Sequence, residues 1–124
     1  SLGAIKPLIA LLNEIVQKEA TDARHYSAAE YAALALARLA RSKSLRADIG
    51  QQDGVAPLLG LLATFNSQGQ RPTSTIRNVL LALVNLAALE PNRAAITRSG
   101  GVALLAPHLI LEGLKPKAEG DSIP

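Results

Sequence analysis

Tyr31-Ala-Ala-Leu-Ala-Leu-Ala-Arg-Leu-Ala40 returns 47 residues later as Asn78-Val-Leu-Leu-Ala-Leu-Val-Asn-Leu-Ala87. Upstream of each copy lies a second recurring stretch. Gly3-Ala-Ile-Lys-Pro-Leu-Ile-Ala-Leu-Leu12 reappears as Asp53-Gly-Val-Ala-Pro-Leu-Leu-Gly-Leu-Leu62, with a weaker third copy at Gly100-Gly-Val-Ala-Leu-Leu-Ala-Pro-His-Leu109. Between them, Leu45-Arg-Ala-Asp-Ile49 matches Asn92-Arg-Ala-Ala-Ile96. All three correspondences keep one order at offsets of 47 to 50 residues, which is the signature of a repeat array.

Helical spacing divides each unit into three helices. A short first helix is predicted over Ser44–Gln52 and Pro91–Arg98, and a second starts near Ala4, Gly54 and Gly101. The third and longest runs over Ser27–Ala40 and Ser74–Leu89. Ser27 and Glu30 have the spacing of a capping box, in which each side chain satisfies an orphan N–H. Pro7 and Pro57 are placed in the opening turns of their helices, where a missing N–H costs little. Asp53-Gly54 and Gly100-Gly101 supply the tight corner before the second helix. The apolar stripes are Ile5, Leu8, Leu11, Leu12 and Ile15, then Val55, Leu58, Leu61 and Leu62, and Leu36, Leu39, Leu83 and Leu86. Ile49 and Ile96 peg the short helices onto the stack. The connections 13–26 and 63–73 are long; Ile15 and Val16 extend the helix into the first, whereas the polar, breaker-rich 66–72 is expected to be a mobile loop.

Composition narrows the function classes. With 48% hydrophobic but only 2% aromatic residues, Leu and Ala carry the core, and both favour an all-α fold. The chain has no Cys, which excludes disulfides and thiolate metal sites and fits an intracellular setting, cytoplasmic or nuclear. No apolar run nears the roughly 20 residues that span a bilayer. Residues 1–20 also lack the pattern of a signal peptide. His25 and His108 have no ligand-spaced partners, and neither a nucleophilic triad nor a phosphate-binding loop is present. No enzyme activity and no cofactor are therefore expected.

These residues resemble the armadillo repeat. The family pattern of Gly-Ala-Ile-x-Pro-Leu-Val-x-Leu-Leu, then Ala-Leu-x-Asn-Leu-Ala, then Asn-x-x-x-Ile-x-x-x-Gly-Gly is clearest in Ala82-Leu-Val-Asn-Leu-Ala87 followed by Asn92, Ile96, Gly100 and Gly101. The resemblance covers about residues 3–111, two and a half repeats: a partial one over about 3–43, a second over 44–90 and a partial third over 91–111. Residues 112–124, rich in Gly, Pro and charge, read as a linker or tail. The resemblance implies an armadillo-type right-handed α-solenoid of three-helix repeats, whose third helices line a concave groove. In many members the Asn of the Ala-Leu-x-Asn motif holds the backbone of an extended peptide there. An amide side chain offers that backbone both a donor and an acceptor.

Two departures redirect the expected ligand. Asn85 has Arg38 as its counterpart, and the positions where importin-α-like members carry Trp are Leu34 and Leu81. The apolar shelves for lysine stems are missing and Arg38 repels a basic peptide, so nuclear import is not the expected role. The candidate partner-binding stripe comprises Asn85, Leu81, Asn78 and Arg77 on one third helix, and Arg38, Leu34, Tyr31 and Glu30 on the other. For Asn85 the residues leave two roles open, contact with a partner peptide or a hydrogen bond to the neighbouring repeat. Basic residues outnumber acidic ones over 24–46 and 71–98, which suits an acidic extended or helical protein segment. Two other functions fit the same pattern: end-to-end assembly with further repeats or with itself, and nucleic-acid binding through the arginines. The small net charge of +3 and the scarcity of aromatics weigh against the last.

Overall fold

The computed structural model describes residues 2–18, 23–69 and 72–111. Among them are seven α-helices and no strand: α1 (Leu2–Lys18), α2 (Ala23–Leu39), α3 (Lys43–Gln51), α4 (Val55–Gln68), α5 (Thr73–Leu86), α6 (Glu90–Arg98) and α7 (Gly101–Leu111). Short α3 and α6 open two successive units, α4 and α7 follow them, and α5 closes the first of these units. Helices α1 and α2 match the last two elements of an earlier one. The expected linker, 112–124, lies outside the described residues, as do 19–22 and 70–71 of the two connections.

Each helix packs on its counterpart in the next unit: α1 on α4 and α4 on α7, α2 on α5, α3 on α6. Helix α4, flanked on both sides, is buried almost all round through Val55, Leu58, Leu59, Leu61, Leu62 and Phe65. A helix that is apolar on every face needs such neighbours. Ile5, Leu12, Ile15, Leu36, Ile49, Leu83, Leu86 and Ile96 complete the core as predicted, each worth about 1.5–3 kcal/mol when fully buried. Leu11 departs from the predicted stripe. It is 37% exposed, against 1% for its counterpart Leu61, because among the described residues α1 has a packed neighbour of its class on one side only, and Ile9 is buried in its place.

The two corners before α4 and α7 are built alike. Asp53 and Gly100 hold positive φ, at 59° and 73°. Directly after them the backbone passes close to an isoleucine. A Cβ on Gly54 would stand 2.5 Å from Ile49 Cγ2, and one on Gly101 2.5 Å from Ile96 Cγ2.

Three local expectations are corrected. Helix α2 begins at Ala23, so Ser27 is an interior, exposed helical residue and not a cap. Its first turn is drawn inward by Tyr26, which packs edge-on against Phe65 with ring centroids 5.7 Å apart. Pro7 lies in the second turn of α1, because that helix starts at Leu2; Pro57, third in α4, keeps its opening-turn place. Asn66, Ser67 and Gln68 are helical rather than part of a loop. Buried Phe65 anchors that turn, Asn66 Nδ2 donates to the Leu104 carbonyl of α7 at 3.3 Å, and Gly69 ends the helix at φ 66°. No helix among the described residues is long and apolar enough to cross a membrane.

Candidate partner-binding face

Helices α2 and α5 lie side by side and parallel, and a row of side-chain donors fixes their register. Thr75 Oγ1 donates to the Tyr26 carbonyl at 3.2 Å, Asn78 Nδ2 to that of Glu30 at 3.1 Å, and Asn85 Nδ2 to that of Ala37 at 2.8 Å. Donors and acceptors rise along the two helices together, which is possible only for parallel helices. Thr75, Asn78 and Asn85 share one face of α5, since their spacing brings each round to the same side. A helical carbonyl already bonded to the i+4 N–H keeps a second lone pair, and these amides use it. Buried Asn92 continues the row from α6, donating to the Arg46 carbonyl at 3.2 Å and the Leu86 carbonyl at 2.9 Å.

The eight residues of the predicted stripe therefore fall into three places. Asn78 and Asn85, both half-buried, sit in the seam between α2 and α5 with their amide N–H groups directed at α2. Of the two roles open for Asn85, the structure displays the bond to the neighbouring helix. Glu30 and Leu34 on α2 occupy the same places in their unit as Arg77 and Leu81 on α5. Together these four span the outer face common to both helices, Glu30 and Leu34 half-buried, Arg77 and Leu81 exposed. Tyr31 and Arg38 hold the places of Asn78 and Asn85 one unit earlier. Among the described residues no helix of the same class lies against this flank of α2; Tyr31 is 69% exposed and Arg38 lies at the surface. Among the described residues Arg38 pairs with neither Glu30 nor Asp48.

Two of the arginines that colour the middle of the sequence are structural. Arg46 Nε donates to the Ala40 carbonyl at 2.9 Å, and its counterpart Arg93 donates through Nη1 to the Ala87 carbonyl at 2.7 Å. Each closes the C-terminal end of the preceding third helix, where carbonyls lack intrahelical partners. Sequence reasoning missed this pairing, together with Thr75 and Asn92 as seam residues and Val84 as an exposed apolar one. The signal for the first three was available: each sits at helical spacing from, or in unit register with, a residue already singled out. Among the described residues no three His, Asp or Glu side chains gather as a metal site would require. Comparison with protein-family models, with curated proteins and with solved structures finds no match to this chain.

Proposed function

We propose that the chain is an armadillo-type right-handed α-solenoid segment that serves as a non-catalytic protein-interaction scaffold. The partner segment, extended or helical, lies across the outer face of the third helices, over Leu34 and Leu81. The observation that carries this reading is the pairing of Glu30 and Leu34 with Arg77 and Leu81 at equal places on two parallel helices. Leu81 is an exposed large apolar side chain on that face, 39% accessible. Apolar ground bounded by charge is the composition of an interaction surface. The seam bonds support it further, because they hold the two helices in one register and present a pre-organised surface. Asn78 and Asn85 act here as positioning residues for that surface. Arg77 and the neighbouring exposed Arg38 favour an acidic partner.

Peptides selected for binding the intact chain from an acid-biased display library test the proposal. Leu81→Glu and Arg77→Glu should each weaken a selected peptide at least about ten-fold, or about 1.4 kcal/mol. A peptide indifferent to both changes binds elsewhere and removes the face from consideration. A library without binders removes the scaffold reading itself.

A further inference from the structure

A second apolar surface runs along the trailing flank of α5, opposite the seam with α2, and borders the face just described at Val84. It is a groove of about 360 Å³ walled by Leu80, Leu83 and Val84 of α5, by Ala87 directly after that helix, and by Ile96 and Thr97 of α6, with Arg93 and Leu105 completing its lining. Val84 is 68% exposed. The first six stand 47 positions after Ala33, Leu36 and Ala37 of α2, Ala40 directly after that helix, and Ile49 and Gly50 of α3. The first five of that earlier set are fully buried, and α5 and α6 are the helices packed beside them. The groove is thus the α2–α5 seam repeated one unit on, and the chain itself displays what covers such a surface: the leading flank of a third helix.

The dimensions select which third helix. The earlier surface is shallow-walled, with Ala33, Ala37 and Gly50, and it receives the short side chains Asn78 and Asn85. Asn92 Oδ1 even takes the space a Cβ on Gly50 would need. On α5 and α6 the counterparts are larger: Leu80, Val84 and Thr97. A helix docking there stands further off, and it needs longer polar arms to reach the carbonyls with small residues between them. The leading flank of α2 has that composition. Tyr31 and Arg38 replace Asn78 and Asn85, while Ala28 and Ala35, both half-buried, replace Thr75 and Ala82. With that flank docked, the larger wall residues Leu80 and Val84 face the small Ala28 and Ala35, as close packing requires.

The geometry points to head-to-tail self-association, in which the leading flank of α2 in a second copy docks in the α5–α6 groove. By the register of the existing seam, Arg38 of that copy donates to the Val84 carbonyl and the Tyr31 hydroxyl to the Arg77 carbonyl. These are the counterparts of the Ala37 and Glu30 carbonyls that receive Asn85 and Asn78. Such an interface joins two different surfaces and leaves one of each unused, so it produces open chains of copies rather than closed pairs.

Sedimentation velocity of the chain over a concentration series tests this, with two variants at exposed positions. Val84→Glu places a carboxylate in the groove; the double variant Tyr31→Glu/Arg38→Glu turns the donors of the leading flank into acceptors. The wild type should grow in mass with concentration, and each variant alone should remain monomeric with unchanged helical circular dichroism. Mixed in equal amounts, the two variants should form a species of twice the monomer mass, since Val84→Glu keeps an intact leading flank and the double variant keeps an intact groove. A wild type that stays monomeric up to about 1 mM, where even weak association registers, overturns the proposal. So does association that survives Val84→Glu, or a mixture of variants that stays monomeric.

Discussion

Ala37 on α2 and Val84 on α5 hold the same place in successive units, yet the first is fully buried and the second 68% exposed. The helices run parallel and repeat the same ten-residue pattern, so nothing local accounts for the contrast. Its origin is a neighbour: α5 lies against the trailing flank of α2, and no third helix among the described residues lies against that of α5. The leading flanks mirror this. Asn78 and Asn85 are half-buried in a seam, whereas Tyr31 and Arg38 face outward. Burial in this protein belongs to the pair of adjoining units more than to the single unit, as in any structure stabilised by nearest-neighbour stacking.

The contrast can be broken most forcefully in the core. Leu58 on α4 is fully buried, while its counterpart Leu105 on α7 is only half-buried. Leu58→Ala should cost about 2–5 kcal/mol in urea unfolding, and Leu105→Ala clearly less, because part of that side chain already meets water. Equal losses would mean that α7 is as enclosed as α4. A smaller effect is expected at the seam. Asn85→Ala removes a donor to the Ala37 carbonyl and should cost about 0.5–1.5 kcal/mol, whereas Arg38→Ala, at the same place on the exposed flank, should stay within about 0.5 kcal/mol of wild type. The smallest change lies at the corners, where Asp53 and Gly100 share a left-handed conformation. Asp53→Gly relieves the steric cost of that conformation and should be neutral or stabilising by up to about 1 kcal/mol, while Gly100→Asp introduces the cost and should destabilise by a similar amount. Thermal melting of the two variants, read side by side, measures the difference directly.

Much of the helical framework was legible in the residues. Spacing of Leu, Ile and Val located the helices and most of the core, and Asp53-Gly54 and Gly100-Gly101 marked the corners. The errors arose where a local signal competed with a distant contact. Ser27 and Glu30 have capping spacing, but the Tyr26 ring against Phe65 carries the helix past them to Ala23. The stretch 66–72 is rich in breakers, yet buried Phe65 and the Asn66 bond to Leu104 keep its first residues helical.

The order of residues along the chain set the period of the units, the faces each helix turns inward and the tight corners, because these depend on local sterics and on side-chain spacing within a few turns. Only the packed structure decided which of those faces found a neighbour. Asn85 and Arg38 occupy one place in the repeat, and the sequence placed both on the same stripe. One donates to a carbonyl 48 residues away and the other meets solvent, because a hydrogen bond across a seam requires the adjoining helix to be there.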